Sequence, residues 1–153
     1  MAPAFTIITA VKNGLLELKD TYASLLKQTK QNFEWIVIDA ESKDGTADWL
    51  ENISEFKDRL SWVSEPDEGI ADAWNKGLAR AKGEQILILN AGDVYDSQMI
   101  ERFSYLIEPL CITCCHARIL DVDGRPTGLF RSRPNQLWRG MHVPHNWCSV
   151  LLV

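Results

Sequence analysis

The sequence has no long hydrophobic run, and this limits where the protein can act. A membrane-spanning helix needs about 20 consecutive apolar residues. The nearest candidate, residues 103–120, is interrupted by Glu108, Pro109, His116 and Arg118. The first residues enter a strand-like segment directly, without the basic and apolar regions of a signal peptide. These absences predict a cytoplasmic location, and a peripheral association with the inner face of the membrane stays open.

Basic residues are also scarce relative to acidic ones. The chain has 16 Lys and Arg residues against 21 Asp and Glu residues, a formal net charge of -5. A protein that binds nucleic acid through a basic surface would show the opposite balance. We therefore expect no nucleic-acid partner, and a phosphate ligand would need a metal ion or local amide donors.

Two common phosphate-binding motifs and a complete metal-binding motif are missing. Neither GxGxxG nor GxxxxGK[ST] occurs in the chain. The segment CITCCH fits no zinc spacing, and haem attachment would need a different order. We expect 110–120 to be a buried strand whose thiols, reduced in the cytoplasm, pack as small hydrophobic groups. Metal binding at His142 and His145 is not expected.

Alternating strand and helix patterns make up most of the chain. Its 153 residues favour one domain. Strands are predicted at residues 5–11, 33–39, 59–65 and 84–90, with helices at 15–29, 46–53 (Thr46 as N-cap) and 69–83. This order predicts an α/β fold, a mostly parallel sheet with helices on both faces. Beyond residue 96 we expect a helix at 97–108, the strand at 110–120 and an antiparallel hairpin that turns at 121–124.

Polar residues gather where the predicted parallel strands end. Ligands bind beyond the carboxyl ends of such strands. The four ends are residues 9–13, 39–42, 64–67 and 90–93, and three of them carry an aspartate: Asp39, Asp67 and Asp93. Converging carboxylates repel one another unless a cation or a network of donors compensates.

The fourth strand end reads NAGD after the apolar run ILIL. A bare turn would explain these residues, and Asp39 or Asp67 alone would suit a turn or a helix N-cap. Together, the strand ends favour a divalent cation on Asp93 that neutralises a diphosphate. Gly92 would let the phosphates approach the backbone. Trp74 lies on an apolar helix stripe and is predicted to be core.

Four segments in order resemble the family 2 glycosyltransferases of the GT-A fold: FTIITAVKN, VIDAESKDGT, SEPDEGIADAWNKGLARAKGE and ILILNAGD. The resemblance runs from Phe5 to about Asp96. NAGD stands in the position of the family's DxD motif. VIDAESKDGT resembles the family's strand and DGSTDGT turn, and Ala40 and Glu41 depart from the small residues usual in that turn. The resemblance implies one Rossmann-like, nucleotide-diphospho-sugar transferase domain. Residues 1–96 would be its donor-binding half, and 97–153 the start of an acceptor half that we expect to be truncated.

The resemblance also implies roles for individual residues. Thr9, Ala10, Asn13 and Asp39 would line the nucleobase and ribose pocket. Asp67 and Asn75 would face the donor's ribose or sugar, with Lys76 nearby. Asp93 would hold Mg²⁺ or Mn²⁺ on the diphosphate of a UDP- or GDP-sugar. An inverting transfer would also need a carboxylate base, which remains unidentified because Asp121 and Asp123 suit a hairpin turn.

Three functions are consistent with these residues. The first is a metal-dependent glycosyltransferase that acts on a glycan or lipid-linked acceptor in polysaccharide biosynthesis. The second is a non-catalytic fragment that binds a nucleotide sugar, and the third is a nucleotidyltransferase. The missing Gly-rich phosphate loop counts against the third.

Overall fold

The computed structural model of the chain describes residues 3–106, 113–114, 117–121, 123–130 and 149–152. The strands are β1 (Phe5–Val11), β2 (Phe33–Asp39), β3 (Leu60–Ser64), β4 (Gln85–Ile88), β5 (Thr113–Cys114), β6 (Ala117–Leu120), β7 (Pro126–Phe130) and β8 (Ser149–Leu152). The helices are α1 (Leu15–Leu26), α2 (Thr46–Asn52), α3 (Ile70–Leu78) and α4 (Met99–Ser104). Within these ranges, no helix is both long and apolar enough to cross a bilayer.

A six-stranded sheet in the order β3-β2-β1-β4-β8-β5 forms the centre of the fold. Strands β1 to β4 pair in parallel, while β8 runs antiparallel to both β4 and β5. The predicted parallel sheet is thus confirmed. The chain moves outward from β1 to β3 and then returns to place β4 on the other side of β1. Such a reversal of strand order opens a crevice at the carboxyl ends of the two central strands.

Helices cover both faces of the sheet, as predicted. Alternate residues of a strand point to opposite faces, so Trp35 and Val37 of β2 join one core cluster while Ile36 and Ile38 join another. The first cluster includes side chains from α1, α2 and α4. The second includes Ala73 of α3. Helix α3 therefore covers one face and the remaining helices cover the other.

Two strands have the predicted bounds, but helix ends differ. The helices α1, α3 and α4 are each shorter than predicted. Thr46 was expected as the N-cap of α2, and this is wrong: Thr46 is its first residue and Gly45, with φ of 89°, takes the cap position. The left-handed backbone at that point suits glycine, which has no Cβ to clash.

The prediction of one strand over residues 110–120 is also wrong. Strand β5 lies in the six-stranded sheet, whereas β6 pairs with β7 in a separate two-stranded sheet. An apolar run does not reveal where the chain leaves one sheet for another. The hairpin between β6 and β7 is confirmed, with Gly124 at φ of 76° in its turn. Several predictions lie outside the described residues: those for Cys111, Cys115, His116, His142, His145 and Cys148, and for the side chain of Cys114.

Helix α3 packs directly onto the central strand β1. A Cβ on Gly77 would clash with Cγ2 of Ile8 and lie 3.1 Å from its Cδ1. Ile8 is a β-branched core residue with 0% exposure, so its side chain has little freedom to move away. Glycine at this position therefore brings α3 close to the sheet.

Replacing this glycine tests the close approach. We expect Gly77→Ala to lower the free energy of unfolding by about 1–2 kcal/mol, because overpacking outweighs the gain in helix propensity. Asn75→Ala, at an exposed position of the same helix, should change stability by less than about 0.5 kcal/mol. Urea denaturation measures both values. A Gly77→Ala variant as stable as the unsubstituted chain would contradict the packing described.

Candidate active site at the carboxyl edge of the sheet

The Asp39 carboxylate is buried at the end of β2, between the ends of β1 and β3. In the parallel register, Asp39 lies opposite Val11 on one side and Ser64 on the other. Its exposure is 0%. It accepts hydrogen bonds from the Ser64 hydroxyl at 2.6 Å and from the Ser42 backbone N–H at 3.1 Å, and also from the Ser42 hydroxyl. Because a buried charge needs such partners, these serines explain how the carboxylate can be buried.

The loop after β1 is joined to the loop after β2. The Ser42 hydroxyl oxygen accepts a hydrogen bond from the Asn13 backbone N–H at 2.7 Å. The Asn13 side-chain oxygen accepts one from the Lys43 backbone N–H at 2.8 Å. Asn13 has φ of 49°, a left-handed conformation that Asn tolerates better than most residues. Asn13 is exposed, and its backbone and amide oxygen fix the relative position of the two loops.

Asp44 stabilises the starts of both α1 and α2. One carboxylate oxygen accepts from the Leu15 backbone N–H at 2.9 Å. The other accepts from the Thr46 hydroxyl at 2.6 Å and from its N–H at 3.2 Å. The hydrogen bond from the Thr46 side chain, followed by that from Leu15, lowers the pKa of Asp44. These contacts satisfy N–H groups that helix starts leave without partners.

The predicted donor-binding residues of β1 differ in their exposure. Thr9 is 0% exposed; its hydroxyl donates to the Leu89 carbonyl at 2.6 Å and accepts from the Trp35 indole at 2.9 Å. The side chain of Thr9 therefore serves packing and would contact a ligand only after rearrangement. Ala10 is half-buried at the strand end, where its carbonyl accepts from the Ala91 N–H at 3.5 Å.

The segment between β3 and α3 is fixed by side chains of the helix. Asp67, half-buried, accepts from the Gly69 N–H at 3.1 Å in a turn before the helix. Lys76 donates to the Pro66 carbonyl at 2.5 Å, and its ammonium lies 2.9 Å from Asp72 and 3.6 Å from Glu65. The hydrogen bond to Asp72 raises the pKa of Lys76. Lys76 is thus engaged in positioning this segment.

Asn75 and Trp74 occupy the same helix as Lys76. Asn75 is exposed on α3. The half-buried Trp74 donates its indole N–H to the side-chain oxygen of Asn90 at 3.1 Å. The prediction of a core role for Trp74 thus holds only in part, because its polar atom contacts the fourth strand end.

Residues 90–93 form a tight turn that places Asp93 at the crevice. The Asp93 N–H donates to the Asn90 carbonyl at 3.0 Å, and Gly92 has φ of 91°. A positive φ at the third position is the requirement of a type II turn. The turn conformation alone therefore requires a glycine here, whether or not phosphates approach it. The Asp93 residue is half-buried.

A row of polar side chains on α1 and just beyond its end contacts the segment after β4. The row consists of Thr21, Ser24 and Gln28, all buried. The Ser24 hydroxyl accepts from the Tyr95 N–H at 3.2 Å. The Gln28 amide donates to the Asp96 carbonyl at 2.8 Å and accepts from the backbone N–H of Ile100 at 3.1 Å. Thr21 contacts the turn at 90–93 itself.

The aspartates do not combine into a metal-binding cluster. Throughout the ranges that the structure describes, no three His, Cys, Asp or Glu side chains are arranged to hold an ion. Asp39 and Asp67 are instead bonded to serines and to a backbone N–H. Asp93 offers a hard oxygen ligand of the kind that Mg²⁺ and Mn²⁺ prefer. The donor set of the described residues therefore fits a cation where oxygens of a bound ligand and water supply the other positions.

The sequence pattern of glycosyl transferase family 2 matches residues 6–145. The chain belongs to this family. It is 30% identical over 138 residues to TuaG of Bacillus subtilis, whose name assigns it to teichuronic acid biosynthesis, covering 88% of this chain and 55% of that protein. A PGL/p-HBAD biosynthesis glycosyltransferase of Mycobacterium tuberculosis is 33% identical over 109 residues, 69% of this chain and 42% of that one. The chain thus spans about half the length of these relatives.

Solved structures confirm the GT-A fold of this family 2 chain. The mannosyltransferase PcManGT of Pyrobaculum calidifontis, in complex with GDP-Man and Mn²⁺, has a TM-score of 0.62 and 24% identity. That match covers 72% of this chain and 34% of the other. Residues 1–349 of TarS from S. aureus, in complex with UDP-GlcNAc, give a TM-score of 0.59 at 23% identity. This second match covers 67% of this chain and 30% of the other.

Four residues that shape the crevice were not assigned from the sequence: Thr21, Ser42, Asp44 and Ser64. Ser42 and Ser64 lie within the predicted strand ends 39–42 and 64–67, so their position was the available signal. Thr21 begins a polar spacing of three and four residues with Ser24 and Gln28. This spacing marks one helix face as clearly as an apolar stripe does.

The contacts of Asp44 predict a pH-dependent contribution to stability. Its folded-state pKa is lowered, so its stabilising effect is present above the unfolded pKa of about 3.9 and is lost as the pH falls through the folded value. We expect Asp44→Asn to be less stable than the unsubstituted chain at pH 7, with a difference that shrinks as the pH falls below about 4.

Urea denaturation at a series of pH values measures this difference. Asp58→Asn, an exposed carboxylate on the turn before β3, is the control for removing a negative charge. A difference between Asp44→Asn and the unsubstituted chain that does not change with pH would contradict the assignment.

Proposed function

We propose that the chain binds a UDP- or GDP-sugar through its diphosphate and a divalent cation, as part of a glycosyltransferase. The observation that carries the proposal is the position of Asp93. This carboxylate follows β4 at the point where the strand order of a family 2 domain reverses. GDP-Man with Mn²⁺ and UDP-GlcNAc in two proteins of the same fold support both the donor class and the cation.

The donor would lie across the ends of β1 and β4. Ala10 and Asn13 would contact the nucleobase and ribose, while Asp67 and Asn75 would face the ribose or sugar from the side of α3. Thr9 and Asp39 would act through packing, because both side chains are buried and hydrogen-bonded within the protein. For Asp39 to bind the nucleobase, its carboxylate would have to break a hydrogen bond to Ser42 or Ser64.

Catalysis would depend on charge neutralisation and on a base. A bound Mg²⁺ or Mn²⁺ supplies positive charge on the diphosphate as the nucleoside diphosphate leaves. Asp93 would fix the position of that charge relative to the sugar. Inversion at the sugar would need a carboxylate that accepts the proton of the acceptor hydroxyl. Asp121 is engaged in its own hairpin, where it accepts from the backbone N–H groups of Asp123 and Arg125.

We propose further that the whole protein transfers the sugar to an acceptor. The acceptor would be a glycan or a lipid-linked glycan in polysaccharide biosynthesis, at the cytoplasmic face of the membrane. The names of the bacterial relatives support this class of acceptor. A chain that binds the donor without transferring sugar is the alternative, and transfer of radiolabelled sugar in the presence of Mn²⁺ distinguishes the two.

The role of Asp93 is tested by nucleotide binding. We expect Mn²⁺ to strengthen the binding of UDP or GDP, and Asp93→Ala to abolish this effect, because the substitution removes the metal ligand. Loss of a group that only orients a metal ligand typically costs about 10- to 100-fold in metal affinity. The nucleotide affinity of Asp93→Ala in the presence of Mn²⁺ should fall by more than this. Isothermal titration calorimetry with and without Mn²⁺ measures this.

Asp58→Ala is the matched control, since Asp58 is exposed and precedes β3 at the opposite edge of the sheet. It should bind like the unsubstituted chain. If a folded chain binds neither nucleotide, or if Asp93→Ala retains the full effect of Mn²⁺, the proposed function is wrong.

A further inference from the structure

Thr21 contacts the turn that carries Asp93 through one buried hydroxyl. This hydroxyl accepts a hydrogen bond from the Gly92 N–H at 3.0 Å and lies 2.9 Å from the Asp93 carbonyl. The carbonyls of Glu17 and Asn90 are farther away, at 3.3 and 3.4 Å. A hydroxyl has a single proton to donate, so the Asp93 carbonyl is the best placed acceptor. The hydroxyl thus bridges two successive residues of the turn.

The remaining contacts of α1 do not replace this bridge. Ser24 and Gln28 bind the chain at Tyr95, Asp96 and Ile100, beyond the turn. The Gly92 N–H has a second acceptor in the Glu17 carbonyl at 3.1 Å. That contact fixes Gly92 against the helix but does not involve Asp93. Among these side chains of α1 and its C-terminal extension, Thr21 is the one that bonds Asp93 itself.

We propose that Thr21 is a positioning residue for the metal site, whose hydroxyl fixes the backbone of residues 92–93 and so the direction of the Asp93 carboxylate. The inference rests on the proposed function, because it assigns Asp93 a cation. Among the residues that the structure describes, Asp93 supplies the one carboxylate assigned to the ion, so a small rotation of its backbone would displace that ligand directly. Groups that orient a metal ligand typically contribute about 10- to 100-fold to metal affinity or activity.

Two substitutions separate the hydroxyl from the shape of the side chain. Thr21→Val keeps the shape and removes the hydroxyl, while Thr21→Ser keeps the hydroxyl and removes a methyl group. We expect Thr21→Val to weaken Mn²⁺-dependent binding of UDP or GDP by about 10-fold or more, and to leave binding without Mn²⁺ unchanged. Thr21→Ser should retain the effect of Mn²⁺. Calorimetric titration measures both affinities.

Ser24→Ala is the control for general loosening of the segment after β4. It removes a buried hydroxyl from the same helix that accepts from the Tyr95 N–H and donates to the Thr21 carbonyl, and that does not contact the turn. It should therefore retain the effect of Mn²⁺. Circular dichroism establishes that each variant is folded, and Thr21→Ala replaces Thr21→Val if the latter is unfolded.

The outcomes distinguish this inference from the proposed function. Equal weakening of binding with and without Mn²⁺ in Thr21→Val, or equal behaviour of the valine and serine variants, would overturn the positioning role alone. Loss of the Mn²⁺ effect in Asp93→Ala but not in Thr21→Val would overturn it as well. Absence of any Mn²⁺ effect in the unsubstituted chain would overturn both.

Discussion

The buried carboxylate of Asp39 is the constraint on which the crevice depends. A charge with 0% exposure must be hydrogen-bonded, and its partners come from the loop after β2 and the end of β3. Ser42 also links Asp39 to the loop after β1, because its hydroxyl accepts a hydrogen bond from the Asn13 backbone N–H. One buried charge therefore ties three strand ends together. These hydrogen bonds fix the relative positions of the three strand ends on this side of the crevice.

The end of β4 is positioned by neutral polar side chains rather than by a buried carboxylate. Helix α1 and the short segment after it present three neutral polar side chains to the backbone of residues 90–100: Thr21, Ser24 and Gln28. Backbone groups that are shielded from water outside regular structure need such partners. The result is a well-defined path for a chain that leaves β4 and carries Asp93 to the crevice. Because α1 also contributes Leu18 and Leu25 to the core, the position of the turn is coupled to the packing of the sheet.

Much of this fold could be predicted from the sequence, and the exceptions have physical causes. The strand-like segments FTIITAV and FEWIVID gave the bounds of β1 and β2, and the polar residues after each strand indicated where the crevice lies. Thr9 was assigned to the pocket by the family resemblance, and its hydrogen bond from Trp35 could not be anticipated because Trp35 is distant in sequence. Thr21 was overlooked because apolar periodicity treats a buried threonine as surface. Gly92 was expected to let phosphates approach the backbone, but the positive φ of the turn is by itself a reason for glycine at this position. The sequence alone does not separate these two reasons. The donor-binding roles and the metal role of Asp93 stay predictions; the donor residues are Thr9, Ala10, Asn13, Asp39, Asp67 and Asn75.

The central claim is that nucleotide and cation bind where β1 and β4 end. Paramagnetic broadening of backbone amide signals by Mn²⁺, in the presence of UDP or GDP, locates the ion directly. We predict selective loss of the signals of residues 10–13 and 90–93, with those of Phe33 and Gln85 at the opposite ends of their strands retained. Broadening centred elsewhere in the sequence, or a uniform effect across the chain, would contradict the account.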